Sequence, residues 1–266
     1  MLEKSRAVLR AGLIAGLGLI VLAGNAQAET VLISGANSGL GLEFAKQYSA
    51  LGWQVIATHR RDEIPQTLVD LGAVRDNVRV ERMDITKHDE IDALAKKLAA
   101  VPIDLLINNA GMTGDFRKRE PQSFGTLDYS QFNTFMWTNA LGALKVTEAF
   151  TPHVKASQGK KIVAISSLAG SFGAGGGGMP GGYWYKVSKA ALNMFMTNVA
   201  SELRPQGIAV ALLSPGEVRV EKMAGYNNPR LIEPDVSIAG MIDVIDALSV
   251  ETSGAFIRYN GEPQPF

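Results

Sequence analysis

From Thr30 onward, short apolar runs alternate with longer stretches in which apolar residues recur every three or four positions. The short runs are Thr30–Ser34, Trp53–Thr58, Val78–Met83, Asp104–Asn108, Lys161–Ser166 and Ile208–Ser214, with a last one at Ala255–Tyr259. Most are rich in Val, Ile and Leu and show little alternation, as strands covered on both faces of a parallel sheet do. Val78–Met83 alternates apolar and polar residues, which places it nearer an edge. Among the longer stretches, Leu40–Leu51 sets Phe44, Ala45 and Tyr48 on one side, and Asp89–Ala100 does the same with Ile91, Leu94, Ala95 and Leu98. Gln131–His153 and Tyr183–Arg204 read as longer helical stretches, each interrupted or closed by a breaker. Strand–helix alternation with right-handed crossovers predicts an α/β fold: a doubly wound parallel sheet of the Rossmann type, in one domain. The exception is Gly173–Gly182, where seven of ten residues are glycine. Such a stretch holds neither helix nor strand, so it is expected to be a mobile loop, and its position suits substrate access.

The first 28 residues depart from this pattern. Lys4, Arg6 and Arg10 form a basic head, Ala11–Gly24 is apolar, and Ala26-Gln27-Ala28 fits a cleavage site. The apolar run falls short of the roughly 18 residues a membrane span needs. Residues 1–28 are therefore expected to be a signal peptide and residues 29–266 the folded domain. A buried N-terminal helix and a retained anchor are the other readings of the same pattern. A cleaved leader implies a periplasmic or secreted product, and a cytoplasmic protein is the alternative.

Composition narrows the chemistry. The 266 residues carry 26 basic and 26 acidic side chains, which leaves no electrostatic footprint for nucleic acid. There is no cysteine, so thiolate catalysis and cysteine-ligated metals are excluded. His59, His88 and His153 are scattered, and no metal site is expected.

Ser34-Gly35-Ala36-Asn37-Ser38-Gly39-Leu40-Gly41 follows the first strand and opens the first helix, with spacing G-x-x-x-G-x-G. Gly35 permits a tight turn, Gly39 lets a dinucleotide pyrophosphate approach the backbone, and Gly41 allows close packing at the positive helix end. At the end of the second strand, an acid would hold a ribose and repel a 2′-phosphate. The chain reads Thr58-His59-Arg60-Arg61 there, and Arg60 offers a fork of donors to a phosphate, which favours NADP(H) over NAD(H). The bland reading of Arg60 and Arg61 is a solvated turn. Tyr185 and Lys189 are four residues apart and share a helix face. A tyrosine, with a pKa of about 10, is a poor base, but an ammonium and an oxidised nicotinamide nearby both favour its phenolate. Ser167 is placed to hydrogen-bond a substrate oxygen.

These motifs occur in order, and with them the chain resembles the short-chain dehydrogenase/reductase family over nearly all of residues 29–266, within the branch of sniffer- and C-factor-like carbonyl reductases. The resemblance is carried by ISGANSGLG (33–41), VIATHR (55–60), DLLINNAG (104–111), TNALG (138–142), ISSLAGS (165–171), YKVSKAALN (185–193), SPG (214–216) and the tail 253–266. It implies Tyr185 as acid/base, Lys189 on the nicotinamide ribose, Ser167 orienting the carbonyl and Asn139 anchoring a water. It also implies cofactor contacts at Gly35, Asn37, Ser38, Gly39, Leu40 and Gly41, at Arg60, at Asp84 and Ile85, at Asn109, Ala110 and Gly111, and at Pro215 and Gly216. One departure is Val220, which stands where the family carries a threonine that helps hold the nicotinamide carboxamide. The implied partner is a small carbonyl or alcohol substrate, with no membrane span in the domain, and a homo-oligomer is compatible with the sequence. Sugar-nucleotide epimerases share Y-x-x-x-K but carry a larger C-terminal domain and a different glycine spacing. A non-catalytic NADP-binding protein with a signalling or regulatory role is the other alternative; against it, all four of Asn139, Ser167, Tyr185 and Lys189 are present.

Overall fold

Seven strands form one fully parallel sheet in the order β3-β2-β1-β4-β5-β6-β7. The computed structural model describes residues 28–114, 123–178, 180–221 and 228–266. Of the expected leader, only Ala28 falls within them. The strands are β1 (Thr30–Ile33), β2 (Gln54–His59), β3 (Val78–Arg82), β4 (Leu105–Asn108), β5 (Lys161–Ile165), β6 (Ala209–Ser214) and β7 (Phe256–Arg258). The helices are α1 (Gly39–Ala50), α2 (Gln66–Val74), α3 (His88–Lys97), α4 (Phe132–Met136), α5 (Gly142–Lys155), α6 (Tyr183–Leu203) and α7 (Pro234–Asp246).

Because strand side chains alternate, each central strand feeds two cores. Val31 and Ile33 pack with Phe44 and Tyr48 of α1, Leu68 of α2 and Met241 of α7. Leu32 packs on the other face with Ile91 of α3, Phe150 of α5 and Leu192 and Met196 of α6. β1, β4 and β6 are buried along their whole length, which explains their unbroken apolar sequences. The alternating β3 is one of the two edge strands, as its pattern predicts, and β7 is the other.

Three features differ from the sequence expectation. Helices α2 and α7 lie outside the expected helical stretches. α2 buries only Leu68 and Leu71, too few to mark a period. α7 buries Ser237, Ile238, Met241, Ile242 and Ile245 behind a proline in its first turn, so its signal was present. The third is the glycine-rich segment, where Gly175–Gly178 form one 3₁₀ turn rather than wholly irregular chain. Gly175, Gly176 and Gly178 hold φ of 60°, 61° and 70°, a region closed to most side chains, so glycine makes this turn instead of preventing it.

The interruption expected within Gln131–His153 is a π turn at Trp137–Leu141 between α4 and α5. Strand order reverses between β1 and β4. In such a sheet the crevice beyond the carboxyl ends of the strands at that point is the natural ligand site.

Candidate active site

The glycine turn after β1 is built by close approaches. Gly35 has φ 68°, and a Cβ there would lie 2.9 Å from the Ala110 Cα. A Cβ on Gly41 would come within 2.2 Å of the Gly35 carbonyl oxygen and 2.4 Å of the Asn109 amide nitrogen. Ser34 ties β1 to the β4 end, since its Oγ accepts from the Asn109 and Ala110 N–H groups, each at 3.0 Å. The Asn109 side chain donates to the Ser34 and Gly35 carbonyls at 2.9 and 3.1 Å. Asn109 therefore holds the turn itself in shape, and its amide nitrogen is occupied by that work. Asn37 is fixed by the Thr67 hydroxyl, which donates to its carbonyl at 2.7 Å.

At the start of α1, Ser38 is extended and its side chain makes no capping bond. The Gly39 N–H instead donates to the Glu221 carboxylate at 3.2 Å. An anionic oxygen thus stands at the positive end of α1, where a pyrophosphate would be held. This carboxylate is an internal stand-in for a phosphate, and it shows that the cradle suits an anion. Val220 lies close by: its Cγ1 would be 3.5 Å from a Cβ on Gly39, and it has no group with which to replace the threonine's hydrogen bond.

Other expected cofactor positions ring the same crevice. Arg60 and Arg61 are exposed just past β2. The nearest acid, Asp62, pairs with Arg82 at 3.2 Å, and Arg82 also pairs with Glu90 at 3.0 Å. His59 is buried, and desolvation lowers its pKa, helped by the charge of Arg82. Asp84 accepts from the Thr86 N–H and hydroxyl at 3.0 and 2.8 Å. Ile85 puts its side chain into the core, so what it can offer a ligand is backbone. Across the crevice, Pro215 is held by the Ser237 hydroxyl, which donates to its carbonyl at 2.7 Å, and Gly216 turns with φ 80°.

The four chemical residues converge. Tyr185, half-buried, has its hydroxyl hydrogen-bonded to that of Ser167. Ser167 comes from the turn after β5, where its Oγ also accepts from the Ala169 N–H at 3.2 Å. Lys189 lies one turn along α6, buried, with its Nζ 6.0 Å from the Tyr185 ring centroid and donating to the Ile165 carbonyl at 2.8 Å. Burial lowers the Lys189 pKa to about 8. Burial also raises that of Tyr185, and the Ser167 bond offsets this only in part. In the protein alone the phenol is thus favoured over the phenolate, and the opposite push expected of a cationic nicotinamide would act only with that group bound. The phenol is favoured because desolvation of the ring outweighs the hydrogen bond.

Asn139 sits in the π turn with its side chain fully engaged. Its Oδ1 accepts from the Met112 N–H at 2.7 Å, and its Nδ2 donates to the Met112 carbonyl at 2.8 Å and the Ser188 hydroxyl at 2.9 Å. These bonds join α6 to the chain after β4 and fix the asparagine in place. A Cβ on Gly111 would lie 3.2 Å from the Asn139 Oδ1 and 3.7 Å from the Lys189 Nζ, so glycine keeps this corner open. Ser166 and Asn193 bond to each other behind the Ser167 turn and Glu221 bonds the start of α1, three residues outside the expected site set. Ser166 and Asn193 lay within motifs already quoted, whereas nothing in the sequence pointed to Glu221.

Among the described residues, no group of three or more acids and histidines could hold a metal ion, and no helix is long and apolar enough to cross a membrane.

Comparison with known proteins adds a family. The short chain dehydrogenase family matches residues 29–230. The C-signal of Myxococcus xanthus is 37% identical over 174 residues, covering 65% of this chain and 99% of that protein. The NADPH-bound carbonyl reductase from chicken fatty liver superposes with a TM-score of 0.82 at 28% identity, covering 90% of this chain and all of that one (100%). The carbonyl reductase Sniffer of D. melanogaster gives 0.79 at 27% identity, with the same coverage.

Proposed function

The chain belongs to the short-chain dehydrogenase family, and from that premise we propose that it transfers a hydride between NADP(H) and a carbonyl compound or secondary alcohol. It is an oxidoreductase. The observation that carries the proposal is the hydrogen-bonded Ser167–Tyr185 pair, with buried Lys189 beside it, next to the glycine turn. A bound nicotinamide would supply the hydride, and every other task falls to this chain. Gly35, Gly39 and Gly41 would cradle the pyrophosphate, and Lys189 would hold the nicotinamide ribose. The Ser167 hydroxyl donates to the carbonyl oxygen and holds it beside Tyr185. Tyr185 gives its proton to that oxygen as it gains charge, and the phenolate left behind is reprotonated from solvent. A tyrosine whose burial favours the phenol suits the reducing direction, in which the group must start protonated.

The cofactor preference rests on exposed Arg60 and on Asp62 being drawn to Arg82. Purified protein is expected to oxidise NADPH with members of an aldehyde and ketone panel, followed by the loss of reduced-cofactor absorbance. Arg60→Asp removes a charge-assisted contact to the 2′-phosphate and adds repulsion, so NADPH binding should weaken about tenfold or more with little change for NADH. Equal affinity of the wild type for both cofactors would sink the preference.

Residues 1–28 are read as an export leader, from their basic head, apolar run and Ala26-Gln27-Ala28. Cells making the full chain should then yield a periplasmic or secreted product whose N-terminal sequence starts at Glu29. A cytoplasmic product that keeps Met1 would overturn this reading.

A further inference from the structure

One face of α6 does more than present Tyr185 and Lys189. Two turns beyond Tyr185, Asn193 is 4% exposed, and both ends of its amide are used on the turn that carries Ser167. The Ser166 hydroxyl donates to its Oδ1, and its Nδ2 donates to the Gly170 carbonyl at 3.2 Å. Those partners stand on either side of Ser167 in the chain. The turn also rests directly on the helix backbone, since a Cβ on Gly170 would lie 2.7 Å from the Lys189 carbonyl carbon. Its outer end is tied to the C-terminal segment: the Ser171 hydroxyl donates to the Pro265 carbonyl and the Gly173 N–H to the Phe266 carbonyl, both at 2.6 Å. An apolar side chain could fill the Asn193 position without the cost of burying an amide. What an amide adds there is direction, at two points bracketing Ser167.

We propose that Asn193 is a positioning residue, which with Ser166 locks the Ser167 turn onto α6 so that the Ser167 and Tyr185 hydroxyls meet in the geometry that proton transfer needs. It touches neither substrate nor cofactor and acts through Ser167. This rests on the functional reading above, and two measurements keep them separable.

The first is kinetic. Asn193→Ala should lower kcat about ten- to a hundredfold, as small misplacements of reacting groups do, with KM for the carbonyl and Kd for NADPH little changed. The Ser167 bond pulls the Tyr185 pKa down against burial, and Lys189 is the charged group beside that ring. Loosening the turn removes that pull, so the alkaline limb of reduction should move to higher pH. A variant that merely folds less well would lower kcat with the limb unmoved, and that result overturns the proposal. Ser166→Ala removes a single hydroxyl and should move the limb the same way, so the test survives if Asn193→Ala fails to fold. The double variant should be little worse than Asn193→Ala alone, because both cut one bridge; additive losses count against it. The second measurement is amide hydrogen exchange over residues 167–171 of the cofactor-free protein, which needs no activity. Faster exchange in Asn193→Ala supports the lock, and unchanged exchange overturns it. A wild type inactive across the carbonyl panel would be a failure of the functional reading instead.

Discussion

Tyr185→Phe is expected to lower turnover by about 10² or more, the usual contribution of a positioned general acid or base. The substitution removes one oxygen and leaves the ring, so the packing of α6 against the crevice is preserved. The proposed dinucleotide cradle is assembled elsewhere, from Gly35, Gly39 and Gly41, with the Asn109 amide bracing the turn at Ser34 and Gly35. NADPH binding measured by fluorescence titration should therefore stay close to wild type while kcat collapses. The pH profile adds an independent check. Burial raises the Tyr185 pKa, so the phenol persists through neutral pH, and wild-type reduction should decline only on the alkaline side. That alkaline limb should be absent from whatever activity the phenylalanine variant retains. Near-wild-type turnover of the purified variant on any accepted carbonyl would show that the proton comes from somewhere else.

Lys189→Met should have opposite effects on activity and stability. Burial takes the Lys189 pKa from its ordinary 10.5 to about 8, a gap that corresponds to roughly 3 kcal/mol. Between those two values the unfolded chain holds a proton that the folded chain has released, so wild-type stability rises with pH across that window. Below it, at neutral pH, the full cost of burying the ammonium is present. Methionine fills similar volume without the charge. It leaves the Ile165 carbonyl without its 2.8 Å donor, a loss of about 1 kcal/mol. The variant should thus be more stable than wild type by about 2 kcal/mol at neutral pH, which raises the midpoint of thermal unfolding by several degrees. The advantage should shrink as pH climbs toward 10. Activity should be lost, since the group proposed to hold the nicotinamide ribose is gone. This is the pattern expected where function keeps a destabilising group in place. A variant less stable than wild type at pH 7 would contradict the account.

Much of this was legible in the chain, for reasons that lie in particular residues. Val31, Leu105 and Leu212 belong to strands covered on both faces, so those strands read as unbroken apolar runs, and β3 showed its edge position by alternating. Gly35 and Gly41 could be assigned because each stands where a side chain has no room. Tyr185 and Lys189 were placed together by helix geometry alone, since four residues bring two side chains to one face. The helix α2 is hidden in the sequence because two buried leucines make no period, whereas α7 carries both a proline start and helical spacing of its buried residues.

What the sequence determines by itself is therefore local: the period of each element, the glycine turn, the arginines after β2, and the pairing of Tyr185 with Lys189. Only the tertiary structure decides what those groups meet. It brings Ser167 from the end of β5 to the Tyr185 hydroxyl, seats the Asn139 side chain on Met112 and Ser188, and sets Glu221 against the start of α1. It also decides that burial of Tyr185 outweighs its hydrogen bond, and that Lys189 is held well below its ordinary pKa. The division has one physical cause: periodicity and turn chemistry depend on neighbours along the chain, whereas desolvation and hydrogen-bond pairing depend on atoms that the fold brings together from distant positions.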